Sequence, residues 1–115
     1  MAYHAVKEQT QYNQDSVVNR LHPPVIVTKT IADGVGAFDK GTILAKTDDG
    51  IKPMVAYDPD ADPQQVIVGV ATSDFDPAIV NMVEAIVHGT VTKEMLLADD
   101  DQIALLTSQL PIYAV

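Results

Sequence analysis

The sequence predicts a β-rich α+β fold, and three features predict it. Short β-branched runs recur between clusters of Gly, Pro and Asp, the pattern of strands joined by turns. Apolar residues make up 47% of 115 residues, enough for one core and too short a chain for two domains. A single capping signal near the C-terminal end marks one modest helix.

Residues Val25 to Ile31 alternate β-branched residues with Thr28 and Thr30 and read as the first strand. A loop containing Gly34, Gly36 and Gly41 follows, then a strand over Thr42 to Thr47. Asp49-Gly50 predicts a type I′ hairpin, which requires φ > 0 at both central positions. The return strand runs from Ile51 towards Tyr57, with Pro53 marking an edge or bulge. Residues Asp58 to Pro63 form an acidic, proline-containing loop. Val66 to Thr72 has little room for a polar face and reads as a buried strand, with Gly69 at a bulge or a close approach.

A turn around Asp74 to Pro77 precedes the longest strand-like stretch, Ile79 to Val91. Its odd positions are nearly all apolar, and its even positions include Glu84, His88 and Thr90, so one face should pack and the other stay partly wet. Lys93 to Ala98 suits a helical turn. Asp99 can cap a helix with Gln102 as its reciprocal partner, Asp100 and Asp101 favour the positive end of the dipole, and Ile103, Leu106 and Leu110 share one face. Pro111 ends the helix, and the apolar tail Ile112 to Val115 predicts a docked strand.

Residues 1–22 differ from the rest: Gln9 to Gln14 is polar around one tyrosine, and no helical or strand period is sustained. The stretch predicts a flexible arm ending at Pro23-Pro24, followed by one β-rich domain over 23–115. Tyr3, Tyr12, Val17 and Val18 are the arm residues with surface to bury on a partner.

The formal net charge of −9 argues against binding nucleic acid or an anionic membrane, both of which need basic patches. Cysteine is absent, which excludes disulfides and thiolate metal sites. Met1 to Lys7 is not followed by an apolar signal-peptide core, and no apolar run could span a bilayer, so a soluble protein made in the cytoplasm is expected.

Searches for chemistry return weak signals. Asp58, Asp60 and Asp62 alternate as in a calcium loop, but the sixth and twelfth positions are Pro63 and Gly69, where an EF-hand needs Gly and Glu, so a solvated acidic turn is expected. Gly36 and Gly41 have the outer spacing of a phosphate loop without the Lys-Ser/Thr that must follow. His4, His22 and His88 are scattered, and no GxSxG elbow surrounds Ser16, Ser73 or Ser108. No catalytic residue, cofactor site or metal site is assigned. A protein that binds a surface is expected rather than an enzyme.

The C-terminal two thirds carries a resemblance. Lys52 to Asp58 reads KPMVAYD; Val68-Gly69-Val70-Ala71 follows a polar loop; an alternating strand leads to His88-Gly89-Thr90-Val91; Glu94 to Asp101 is acidic with leucines; the chain closes on Ile112-Tyr113-Ala114-Val115. This order, together with Gly41-Thr42-Ile43-Leu44, resembles the lambda-type head decoration proteins of tailed phages. The resemblance implies a compact β-clip-like domain with one or two short helices, forming homotrimers on the outer surface of the expanded phage capsid. It implies a structural virion protein, a cement against internal DNA pressure, whose N-terminal arm orders on the major capsid protein. No cofactor and no catalytic residue belong to that family. Another accessory virion module, for tail or fibre attachment, is the alternative.

Overall fold

The computed structural model describes residues 17–19 and 23–115. They form a mostly β fold with one short helix: β1 (Val18–Asn19), β2 (Val25–Thr30), β3 (Ile43–Thr47), β4 (Gly50–Pro53), β5 (Val66–Ala71), β6 (Met82–Val91), α1 (Asp100–Gln109) and β7 (Ile112–Ala114). A 3₁₀ turn spans Lys93–Met95, within the stretch expected to be helical.

β6 organises the fold. β1 and β2 pair with it antiparallel along one edge, Val18 opposite Val91 and Thr30 opposite Met82. β5 and β7 pair with it along the other, antiparallel and parallel respectively. β5 pairs in turn with β3, and β3 with β4. The sheet curls until its ends touch, where Ile31 bridges Ile51 and the Ala32 N–H donates to the Ile51 carbonyl at 2.9 Å.

This curl divides the core. Ile31, Leu44, Ala71, Phe75, Val83 and Ala85 form one buried cluster. The stacked rings of Phe38 and Phe75, 4.9 Å between centroids, close it, and their backbones exchange two hydrogen bonds. The larger cluster packs Ile43, Val70, Ile86 and Val91 of the sheet against Ile103 and Leu106 of α1 and Ile112 of β7.

The Asp99 capping box is present in both directions: its carboxylate accepts from Gln102 N–H at 2.8 Å, and its own N–H donates to Gln102 Oε1 at 3.0 Å. Gln109, at the other end, accepts from Ile67 N–H at 2.7 Å and donates to the Gln65 carbonyl at 2.7 Å, tying α1 to the start of β5. Gln65 in turn exchanges hydrogen bonds with both backbone groups of Val55.

Four local expectations are corrected. The hairpin loop is Asp48-Asp49 rather than Asp49-Gly50: Thr47 pairs with Gly50, and only the glycine has positive φ. Thr47 supplies the turn chemistry, accepting from Asp49 N–H and donating to the Gly50 carbonyl. The long strand begins at Met82 rather than Ile79, because Asp76 builds a turn that accepts from Ala78, Ile79 and Val80 N–H. Thr90, expected on a wet face, is fully buried, since β1 and β7 flank β6 at that residue; among the described residues its hydroxyl meets no hydrogen-bond partner. The return strand also stops early, at Pro53.

Gly41 is where the loop before β3 meets the 3₁₀ turn. Its N–H donates to the Ala71 carbonyl, its carbonyl accepts from Leu97 N–H, and a Cβ there would overlap the Met95 carbonyl oxygen. Its φ is +92°, so a side chain is opposed by both backbone conformation and space. Gly41→Ala is expected to cost about 2–3 kcal/mol, and Asp99→Ala about 1 kcal/mol; urea unfolding midpoints at constant slope measure both.

Candidate binding surface

The residues that sequence reasoning placed in an arm fall into two groups. Tyr3 and Tyr12 lie outside the described residues. Val17 and Val18 do not stand free: they are 2% and 8% exposed and belong to the larger core cluster. The packed body therefore begins at Val17, inside the segment 1–22 expected to be an arm. The physical reason is β6, whose free edge beyond β2 needs a partner: Val18 and Asn19 pair with Val91 and Thr90, and Thr92 N–H donates to the Val17 carbonyl at 2.9 Å.

The opposite edge of β6 at the same level holds the last strand. Val115 N–H donates to the Val91 carbonyl at 3.0 Å, and Lys93 N–H donates to the Val115 carbonyl at 2.8 Å. The point where the N-terminal residues join the body and the last described residue thus flank one strand end. Large apolar side chains stand exposed beside it: Tyr113 and Val115, each 56%, follow each other on one face of β7. Ile112 and Ala114, on the other face, pack into the core. An apolar tail is explained by that alternation, since the strand can bury only one face.

The remaining candidates are dispersed. His88 is exposed on β6 opposite Val25. Asp58 organises its own loop, its carboxylate accepting from Asp60 N–H and its carbonyl from Ala61 N–H and the Gln64 amide. Among the described residues, no three His, Cys, Asp or Glu side chains gather as a metal ion would need. Lys40 N–H donates to Asp74, so the loop with phosphate-like glycine spacing is closed by a carboxylate. Such a loop is set against an anion rather than for one.

No family model matches this chain, and no curated protein matches it in sequence.

Sequence reasoning missed Gln65 and Gln109, and the second role of Gln102 beyond the capping box. Gln65, Gln102 and Gln109 hold the 55–65 segment against α1, and a lone Gln carries no pattern that announces such a role. The anchoring valines were visible only as apolar residues in a polar stretch. Removing residues 1–16 is expected to leave the melting temperature unchanged within about 2 °C, whereas Val17→Ala is expected to cost about 1–3 kcal/mol. Thermal unfolding by circular dichroism separates the two.

Proposed function

We propose that this chain is a structural virion protein that binds the outer surface of an expanded phage capsid as a homotrimer and cements the shell. The observation that carries the proposal is the mooring at the end of β6. Residues 1–16 join the body there through a buried two-valine anchor, beside the C-terminal strand and its exposed Tyr113 and Val115. In this proposal residues 1–16 act as a leader that delivers an extended segment to another protein's sheet. The resemblance of residues 41–115 is the other support for this reading, and a β-clip type of fold belongs to the same proposal.

The mechanism follows from linkage of weak contacts. Ordering a leader on a shell costs about 1–2 kcal/mol per residue, so one leader binds weakly. In a trimer the second and third attachments become intramolecular, and avidity multiplies. Binding then depends on whether all three sites are correctly spaced, which would make the expanded lattice the preferred target. The net charge of −9 keeps the body from competing for packaged nucleic acid. The major capsid protein is the partner in this account, and no cofactor or catalytic step is needed.

Co-sedimentation with expanded, empty phage heads tests it. The intact chain is expected to pellet with expanded shells and not with unexpanded ones. A chain lacking residues 1–16 is expected to lose at least tenfold in affinity while keeping its fold. Failure of the intact chain to bind mature heads overturns the capsid proposal; binding that survives the truncation overturns the leader's role.

A further inference from the structure

Among the described residues, the outer edge of β2 is a six-residue hydrogen-bonding surface with no strand beside it. Ile31 N–H donates to Asn81, so the alternation of an antiparallel pair directs Val27 and Lys29 towards β6. Ile26, Thr28 and Thr30 then point their backbone groups away from β6. Ala32, of the same parity, donates outward to Ile51 on β4, but β4 reaches β2 only at that end. Between Val25 and Thr30 no described strand covers the edge. The strand has six residues and a single charge, Lys29, which is half-buried on the inner side. Natural sheets rarely leave such an edge unguarded.

Half of the large apolar side chains left exposed among the described residues stand at the two ends of this edge. Val25 and Ile26 are at its start. Met82, Val80 and Ile79 are at its finish, Ile79 being 78% exposed. Pro77, Ala78, Ile79 and Val80 form four consecutive exposed apolar residues, a run that a solvated turn has no use for. Asp76 closes that turn with hydrogen bonds, and Pro77 and Val80 share a small cavity with Ile31 and Gly34 at the end of β2.

We propose that this edge is a self-association surface, where β2 pairs antiparallel with β2 of a second copy. The geometry selects a copy of the same chain. Antiparallel pairing centred on Thr28 sets Thr28 opposite Thr28, Ile26 opposite Thr30 and Lys29 opposite Val27, so no like charges meet. It also brings Val25 and Ile26 of each copy beside the Met82, Val80 and Ile79 end of the other, covering both apolar groups twice over. Their exposed area is on the order of 400 Å² per copy, about half of the ~800 Å² per partner in a stable interface; the strand edges and threonines supply the rest. β2 itself carries no carboxylate, and exposed Glu84 stands opposite Thr28 on β6. The proposal does not rest on capsid binding.

Light scattering of the free protein tests it, because pairing across a two-fold requires an even number of chains: two, or six where trimers form through another face. Thr28→Glu sets two carboxylates face to face and is expected to halve the mass at low salt; Thr28→Lys does the same. An equimolar mixture of the two variants is expected to restore the even particle. Ile79→Lys, off the strand and without consequence for β2–β6 pairing, is expected to weaken association at least tenfold. A wild-type particle of one or three chains at every concentration overturns the proposal. So does a mixture that stays at half mass, or an even particle that none of the variants disturbs.

Discussion

The backbone of β6 is hydrogen-bonded along both edges, and the rest of the structure depends on that. Its first half pairs with β2 and β5, and its second half with β1 and β7. Only β3 and β4 reach the core without it, and they do so through β5. A ten-residue strand with partners on both sides must change which face it buries as it passes from one layer to the next. The register shift opposite Val25 and Ile26 makes that change. Before it, Val83 and Ala85 alternate inward with exposed Glu84; after it, Gly89, Thr90 and Val91 are all buried.

This constraint reaches the candidate binding surfaces. Because β6 ends between β1 and β7, the N-terminal residues join the body next to the C-terminal strand. Because β2 follows β6 while β4 follows β3, the curled sheet meets at one bridge and, among the described residues, leaves an edge open behind it. The two surfaces follow each other along one edge of β6, β2 from Met82 to His88 and β1 at Thr90 and Val91.

Much of the fold was legible because local chemistry and tertiary structure agree. The strands at β2, β3 and β5, the cap at Asp99 and the docking of Ile112 to Ala114 follow from β-branched runs, a reciprocal Asp-Gln pair and an apolar tail with no other reason to exist. The misreadings share a cause. Thr90 looked solvent-facing because parity along a strand assumes one covered face; Ile79 looked like strand because apolar alternation does not reveal that Asp76 satisfies the preceding backbone. Val17 and Val18 looked like bait for a partner because a short apolar pair in a polar stretch carries no statement of what covers it.

Composition by itself determined that this chain makes one acidic, cysteine-free, β-rich unit, since hydrophobic content, charge and turn residues are sums over the sequence. Which surfaces remain for partners was decided only in three dimensions. Open edges and exposed apolar groups are what is left after distant segments have satisfied one another: Val17 against Thr92, Gly41 against Leu97, Ile51 against Ala32. No local pattern records a pairing between residues so far apart in the chain, and it is such pairings that bury two valines and, among the described residues, leave the outer edge of β2 without a strand beside it.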